Sequence, residues 1–185
     1  KEKFKFIKDI EVSSRTSILS TDYLSNFPTL TKPLGVISYP LYMMFSVIST
    51  KKKDGKFYIK DLFPSKKPKT NAYKGETYVL INGSSFSASS IISAKFKADQ
   101  LATLVGEETG GANDGTVAGI YSTQKLPNSK MKLPIGLFLI QPNIELTNTM
   151  KGVTPNVEII PTLEEVLQKK DVQLNWILND INSKK

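Results

Sequence analysis

Two rhythms of apolar and polar positions run through this chain of 185 residues. Tyr78-Val79-Leu80-Ile81 is an unbroken apolar run between Gly75 and Asn82-Gly83, the pattern of a buried central strand. From Ser87 to Asp99 the spacing changes to i,i+4, pairing Ile91 with Lys95, Ile92 with Phe96 and Ala94 with Ala98. That spacing predicts a helix, with the serines at its start as caps. Leu101 to Val105 returns to strand character, so strand, helix and strand together predict a right-handed βαβ unit. Ala118 to Leu126 and Lys132 to Ile140 read as two further strands around the turn Pro127-Asn128-Ser129. Val157 to Ile160 is a short last strand stopped by Pro161. Thr162 and Glu165 have capping-box spacing, and Leu174, Ile177, Leu178 and Ile181 line one face of a terminal helix.

Upstream the pattern is poorer. Residues 1 to about 50 carry Pro28, Pro33 and Pro40 and show no clean periodicity, although Phe4 to Val12 looks like strand material. Residues 51 to 75 form a basic connector interrupted by Phe57-Tyr58-Ile59 and Leu62-Phe63, as in a hairpin or a long surface loop. The expected architecture is α/β, with residues 1–72 flanking a better defined part at 73–185.

Composition narrows the chemistry. The chain has neither cysteine nor histidine. Disulfides, thiolate metal sites and cysteine nucleophiles are therefore excluded, and any imidazole must come from outside these residues. No metal or other cofactor is expected. The net charge is +8, yet Arg15 is the only arginine and the lysines are mostly scattered. That distribution fits a solvated lysine-rich surface rather than a nucleic-acid partner. The longest apolar run, Leu41 to Ile48, is far too short to span a membrane. The N-terminal sequence has no apolar signal core.

Candidate chemistry gathers in two places. Six of the eleven residues from Gly83 to Ser93 are serine, where a strand turns into a helix. An oxygen nucleophile there faces free backbone N–H groups and the positive end of the helix dipole. The stretch Gly106 to Gly119 holds five of the eleven glycines directly after the next strand. Glycine at that density lets backbone approach a ligand, and ligands bind beyond the carboxyl ends of such strands.

YVLINGSSFSASSII, LVGEETGG, LPNS and KGVTPNVEIIPT, in this order, resemble the C-terminal half of the catalytic domain of the C-terminal processing (tail-specific) serine peptidases. Those proteins are relatives of the tricorn protease core. The resemblance covers about Tyr73 to Asn182 and implies a ClpP/crotonase-like superhelix built from βαβ units. It places the nucleophile on Ser87 and half of an oxyanion hole on the Ala88 N–H. Gly110 and Gly111 fall in the loop expected to meet substrate. The motif's usual glutamate is Ser90 here. Where the serine–lysine branch has its base, this chain has Ala112, after Thr109-Gly110-Gly111. The tricorn-type branch, with an upstream histidine base and a later glutamate, is the better match, and Glu145, 58 positions after Ser87, fits that glutamate. No stretch matches the family's upstream Leu-Arg-x-Asn-x-Gly-Gly segment. The resemblance thus implies a peptidase fragment acting on polypeptides, inactive alone, with the rest of its catalytic domain upstream and a location outside the cytoplasm. A non-catalytic peptide- or ligand-binding module on the same fold is the alternative.

Overall fold

The computed structural model describes residues 4–13, 29–60, 64–145 and 149–184. In chain order the elements are β1 (Ile7–Val12), a 3-10 turn at Thr29–Thr31, α1 (Lys32–Ser49), β2 (Thr50–Lys53) and β3 (Lys56–Ile59). Then come β4 (Tyr78–Ile81), α2 (Ala88–Ala98), β5 (Thr103–Gly106), β6 (Thr116–Lys125) and β7 (Lys132–Pro142). The chain closes with β8 (Val157–Glu158), α3 (Leu163–Leu167) and α4 (Val172–Ser183). Two compact units result. One comprises Lys1–Phe6, Ser65–Thr116 and Pro142–Lys185, the other Ile7–Pro64 and Val117–Gln141.

The second of these units is built on a five-stranded sheet in the order β2-β3-β1-β7-β6. Strands β2 and β3 form an antiparallel hairpin with Lys53 opposite Lys56. Its two-residue turn, Asp54-Gly55, has positive φ at both positions. That is the geometry whose twist matches the flanking strands and which favours Asp-Gly. Ile10, Val12 and Ile59 form the core, with Ile7, Phe57, Phe138 and Ile140 against it. The basic connector is thus a hairpin at its start.

Helix α1 is the main departure from the sequence reading. Pro33 sits in its first turn, where a missing N–H costs nothing, and only Pro40 lies inside it. The face turned inward carries glycine, serine and two tyrosines in place of aliphatic residues. Gly35 and Ser46 are buried, while Leu34, Ile37, Leu41 and Phe45 are exposed. Periodicity that assumes apolar residues point inward cannot find such a helix. The aromatic rings of α1 divide between its faces: Tyr39 and Tyr42 are half-buried on the inner face and Phe45 is exposed.

The other unit carries the βαβ element. β4 and β5 are parallel, with Tyr78 opposite Thr103 and Ile81 opposite Gly106. β8 continues the sheet on the far side of β5. Asn156 extends that pairing: its side-chain oxygen accepts from the Leu104 N–H at 2.9 Å, and its own N–H donates to the Leu104 carbonyl at 2.7 Å. The central strand is therefore β5, whose Leu104 and Val105 are wholly buried. β4 lies at the sheet edge with Leu80 exposed, a correction to its reading as a central strand. Ile81, Leu104, Ala94 of α2 and Val153 make the core, with Val79, Phe96, Ala102 and Ile144 packed around them.

The capping box at Thr162 and Glu165 is present, with both reciprocal bonds made. At the end of α4, Lys184 bridges Asp180 at 2.8 Å and Glu76 at 3.1 Å, and donates to the Tyr78 hydroxyl at 3.0 Å. The Tyr78 hydroxyl also donates to Asp180. This cluster pins the terminal helix to the start of β4. No helix among the described residues is long and apolar enough to cross a membrane.

Candidate active site

Ser87 occupies the N-cap position of α2, at the end of the turn that leaves β4, and it is exposed. Its φ of 54° and ψ of −115° place it where a side chain is strained. Its hydroxyl makes no capping bond to the helix. The expected serine cap is therefore absent, and the side chain is left available. Ala88 opens the helix, so its N–H belongs to the first turn, whose donors have no intrahelical acceptor. Ile91 N–H closes the first turn onto the Ser87 carbonyl at 3.1 Å.

The turn is held from within. Asn82 Oδ1 accepts from the Ser84 N–H at 2.9 Å, and the Asn82 carbonyl accepts from the Ser85 N–H at 2.8 Å. Ser90, buried on the first turn of α2, donates its hydroxyl to the Ser85 carbonyl at 2.9 Å. Motif comparison marks Ser90 only as the residue replacing a glutamate; the structure gives it a bond.

The glycine loop lies directly on this turn. The Gly111 N–H donates to the Ser85 carbonyl at 3.1 Å. A Cβ added at Gly110 would overlap the Gly83 carbonyl and the Phe86 ring, and one at Gly111 would overlap the Ser90 hydroxyl. Packing against the serine turn alone therefore requires both glycines. Behind them Thr109 braces the loop, donating to the Gly111 carbonyl at 2.8 Å and accepting from the Val153 N–H at 2.8 Å. Ala112, where a lysine base would stand, is bridged to Gly152.

Glu145 is exposed and lines a cavity of about 280 Å³ together with Ala94, Lys97, Ala98, Asn113 and Lys151. Lys97 donates to the Thr154 carbonyl at 2.7 Å and to its hydroxyl at 2.6 Å. Asn113 Oδ1 is buried without a hydrogen-bond partner among the described residues, so two acceptors line one cavity. Sequence reasoning missed Asn113, and only its three-dimensional surroundings single it out. The helix residues of this cavity are seven to eleven positions past Ser87, and Ser87 does not line it. At 1.5 Å per residue, Ala94 lies about 10 Å along the helix from the serine. Ser87, Ala88, Gly110 and Gly111 are thus gathered at one end of α2, and Glu145 lies beside its other half. Among the described residues no three acidic, histidine or cysteine side chains converge to hold a metal.

An α/β protein with an exposed serine on a strained strand-to-helix turn, seated on a glycine loop, has the layout of a hydrolase that works through a serine. The chain belongs to peptidase family S41, whose sequence pattern matches residues 33–159. That makes it a serine peptidase at the level of the family. No curated protein matches it. Among solved structures it is similar to a crystal structure of a cpaf serine-to-alanine mutant, at 15% identity and a TM-score of 0.51. The match covers 90% of this chain and 35% of that one, so the likeness is one of fold, and this chain spans about a third of the other's length.

Proposed function

We propose that this chain carries the nucleophile-bearing part of a tail-specific peptidase of the tricorn-type branch, on a ClpP/crotonase-like superhelix, working outside the cytoplasm on polypeptide ends. The observation that carries this reading is Ser87: an exposed hydroxyl on backbone at φ 54°, unused by the helix it opens. In the proposed reaction the Ser87 oxygen attacks the scissile carbonyl carbon, and its proton passes to an imidazole supplied from outside these residues. The tetrahedral oxyanion takes a hydrogen bond from the Ala88 N–H. The imidazole then protonates the leaving amine, and water hydrolyses the acyl-enzyme. Gly110 and Gly111 would present backbone to the substrate, and Glu145 would orient the imidazole.

A second reading, ligand binding without catalysis, draws on a different observation. The cavity holding Glu145 and the unpartnered Asn113 oxygen lies two turns of α2 from Ser87.

The deciding experiment is labelling of the full-length gene product by a serine-directed phosphonate, beside Ser87→Ala. Labelling of the wild type alone supports the nucleophile, and equal labelling of both ends the proposal. The 185 residues by themselves should show no peptide turnover, and turnover by them would overturn the external base.

A further inference from the structure

We propose that Asn82 is a site of spontaneous deamidation, at which the turn carrying Ser87 alters its own backbone. This goes beyond the peptidase reading and does not depend on it.

Asn82-Gly83 is the one Asn-Gly pair in the chain. Asparagine is chemically labile where the next backbone nitrogen can reach its side-chain carbon. Glycine, having no Cβ, hinders that approach least. Three features of the turn leave the route open. Asn82 and Gly83 are both exposed, and nothing lies within 4 Å of where a Cβ on Gly83 would stand. The Gly83 N–H makes no hydrogen bond among the described residues. The Ser84 N–H, by contrast, donates to Asn82 Oδ1 at 2.9 Å. That bond curls the Asn82 side chain back over the Gly83 peptide and draws electrons from the amide carbon. The same N–H is placed to hold the oxyanion that forms when the amide is attacked.

The reaction needs only water and hydroxide. Hydroxide takes the Gly83 N–H proton, the nitrogen bonds to Asn82 Cγ, and the Cγ–Nδ2 bond breaks. Nδ2 leaves as ammonia with a proton from water, which restores the hydroxide. The cyclic imide left behind is then opened by water at either carbonyl. Opening at Cγ gives aspartate. Opening at the main-chain carbonyl of residue 82 gives isoaspartate, in which the chain runs on through Cγ and is one methylene longer. Both products add one negative charge, and nothing is oxidised or reduced.

The two products leave the turn in different states. Aspartate keeps an acceptor for the Ser84 N–H. Isoaspartate takes the carbonyl that accepts from the Ser85 N–H at 2.8 Å out of the main chain. It also displaces the Gly83 carbonyl, which lies so close to Gly110 that a Cβ there would overlap it. Isoaspartate therefore loosens the turn and unseats the glycine loop.

The test is to age the folded chain, and the full-length gene product, at neutral pH. Residue 82 is followed by peptide mass spectrometry and by enzymatic methylation of isoaspartate. Asn82 should react about tenfold faster or more than Asn71 and Asn128, which are also exposed but precede Ala72 and Ser129. Gly83→Ala should slow it by a similar factor without moving the urea midpoint of fresh protein. The folded chain should react at least as fast as a peptide of residues 79–87, and faster as the pH rises. Aged protein should unfold at lower urea than fresh protein, whereas Asn82→Asp should not. An Asn82 that stays intact in either protein, keeps pace with Asn71 or ignores Gly83→Ala overturns the site. A folded rate far below that of the peptide overturns the assistance assigned to the turn. Aged protein as stable as Asn82→Asp overturns the loosening.

Discussion

The Ser90 hydroxyl donates to the Ser85 carbonyl at 2.9 Å, spanning the turn on which Ser87 sits. The Gly111 N–H reaches the same carbonyl at 3.1 Å, so helix and glycine loop converge on one acceptor. Ser90→Ala removes one donor at a site that is 1% exposed and should cost about 1 kcal/mol in chemical denaturation. Ser90→Glu, which restores the residue usual in the motif, should cost more, about 3 kcal/mol, because the Gly111 backbone fills the space a longer side chain needs. If Ser90→Glu proves the milder change, this account of the turn fails.

Strain at Ser87 is measurable as stability. Glycine adopts its backbone conformation without penalty, and alanine does not. Ser87→Gly should be about 1 kcal/mol more stable than Ser87→Ala when both are unfolded in urea. Identical stabilities would show that the turn stores no strain.

Gly110→Ala should lose about 2 kcal/mol, since its new Cβ meets the Gly83 carbonyl, which is backbone and cannot swing aside. Gly83→Ala is the control. Nothing lies within 4 Å of that Cβ, and the change should stay within about 0.5 kcal/mol of wild type. Comparable losses in the two variants would mean that the loop does not seat on the turn as described.

The terminal helix should respond to pH at both extremes. Lys184, and secondly Tyr78, hold the Asp180 and Glu76 carboxyls below their usual range. Depressed carboxylates stabilise the fold above their unfolded values, near 3.8 and 4.5, and that support fades as the pH falls through their lower folded values. Lys184 is raised, chiefly by Asp180, and Tyr78 is raised for the same reason. Their contribution is complete below the unfolded values of 10.5 and 10.0 and fades above them. Trp176, the only tryptophan, lies on this helix. Its fluorescence should be constant between these limits and change below about pH 4. Asp180→Asn should flatten the acid change, and an unchanged acid transition in that variant would exclude this cluster as its source.

The elements that were legible in the sequence are those whose burial follows the usual rule. Ile81, Leu104 and Ala94 point inward at strand and helix spacing, and the βαβ unit is visible from them. Helix α1 was hidden because its inner face is Gly35 and Ser46, and because Pro33 and Pro40 read as breakers. The edge position of β4 was hidden because a four-residue apolar run does not say how many neighbours it has. At the candidate site, residue type and order point to Ser87, but its backbone angles and the Ser90 bond depend on a glycine loop more than twenty residues on. Asn113 carries no sequence signal, because an asparagine without a partner looks like any other until its neighbours are known.

A position at φ 54° has a consequence for how the chain changes over generations. Lineages with no use for a side-chain oxygen at 87 gain by drifting to glycine, the residue that rests there without cost. Serine at that spot stands against a thermodynamic pull. Related chains without a serine at this position should therefore carry glycine there rather than alanine.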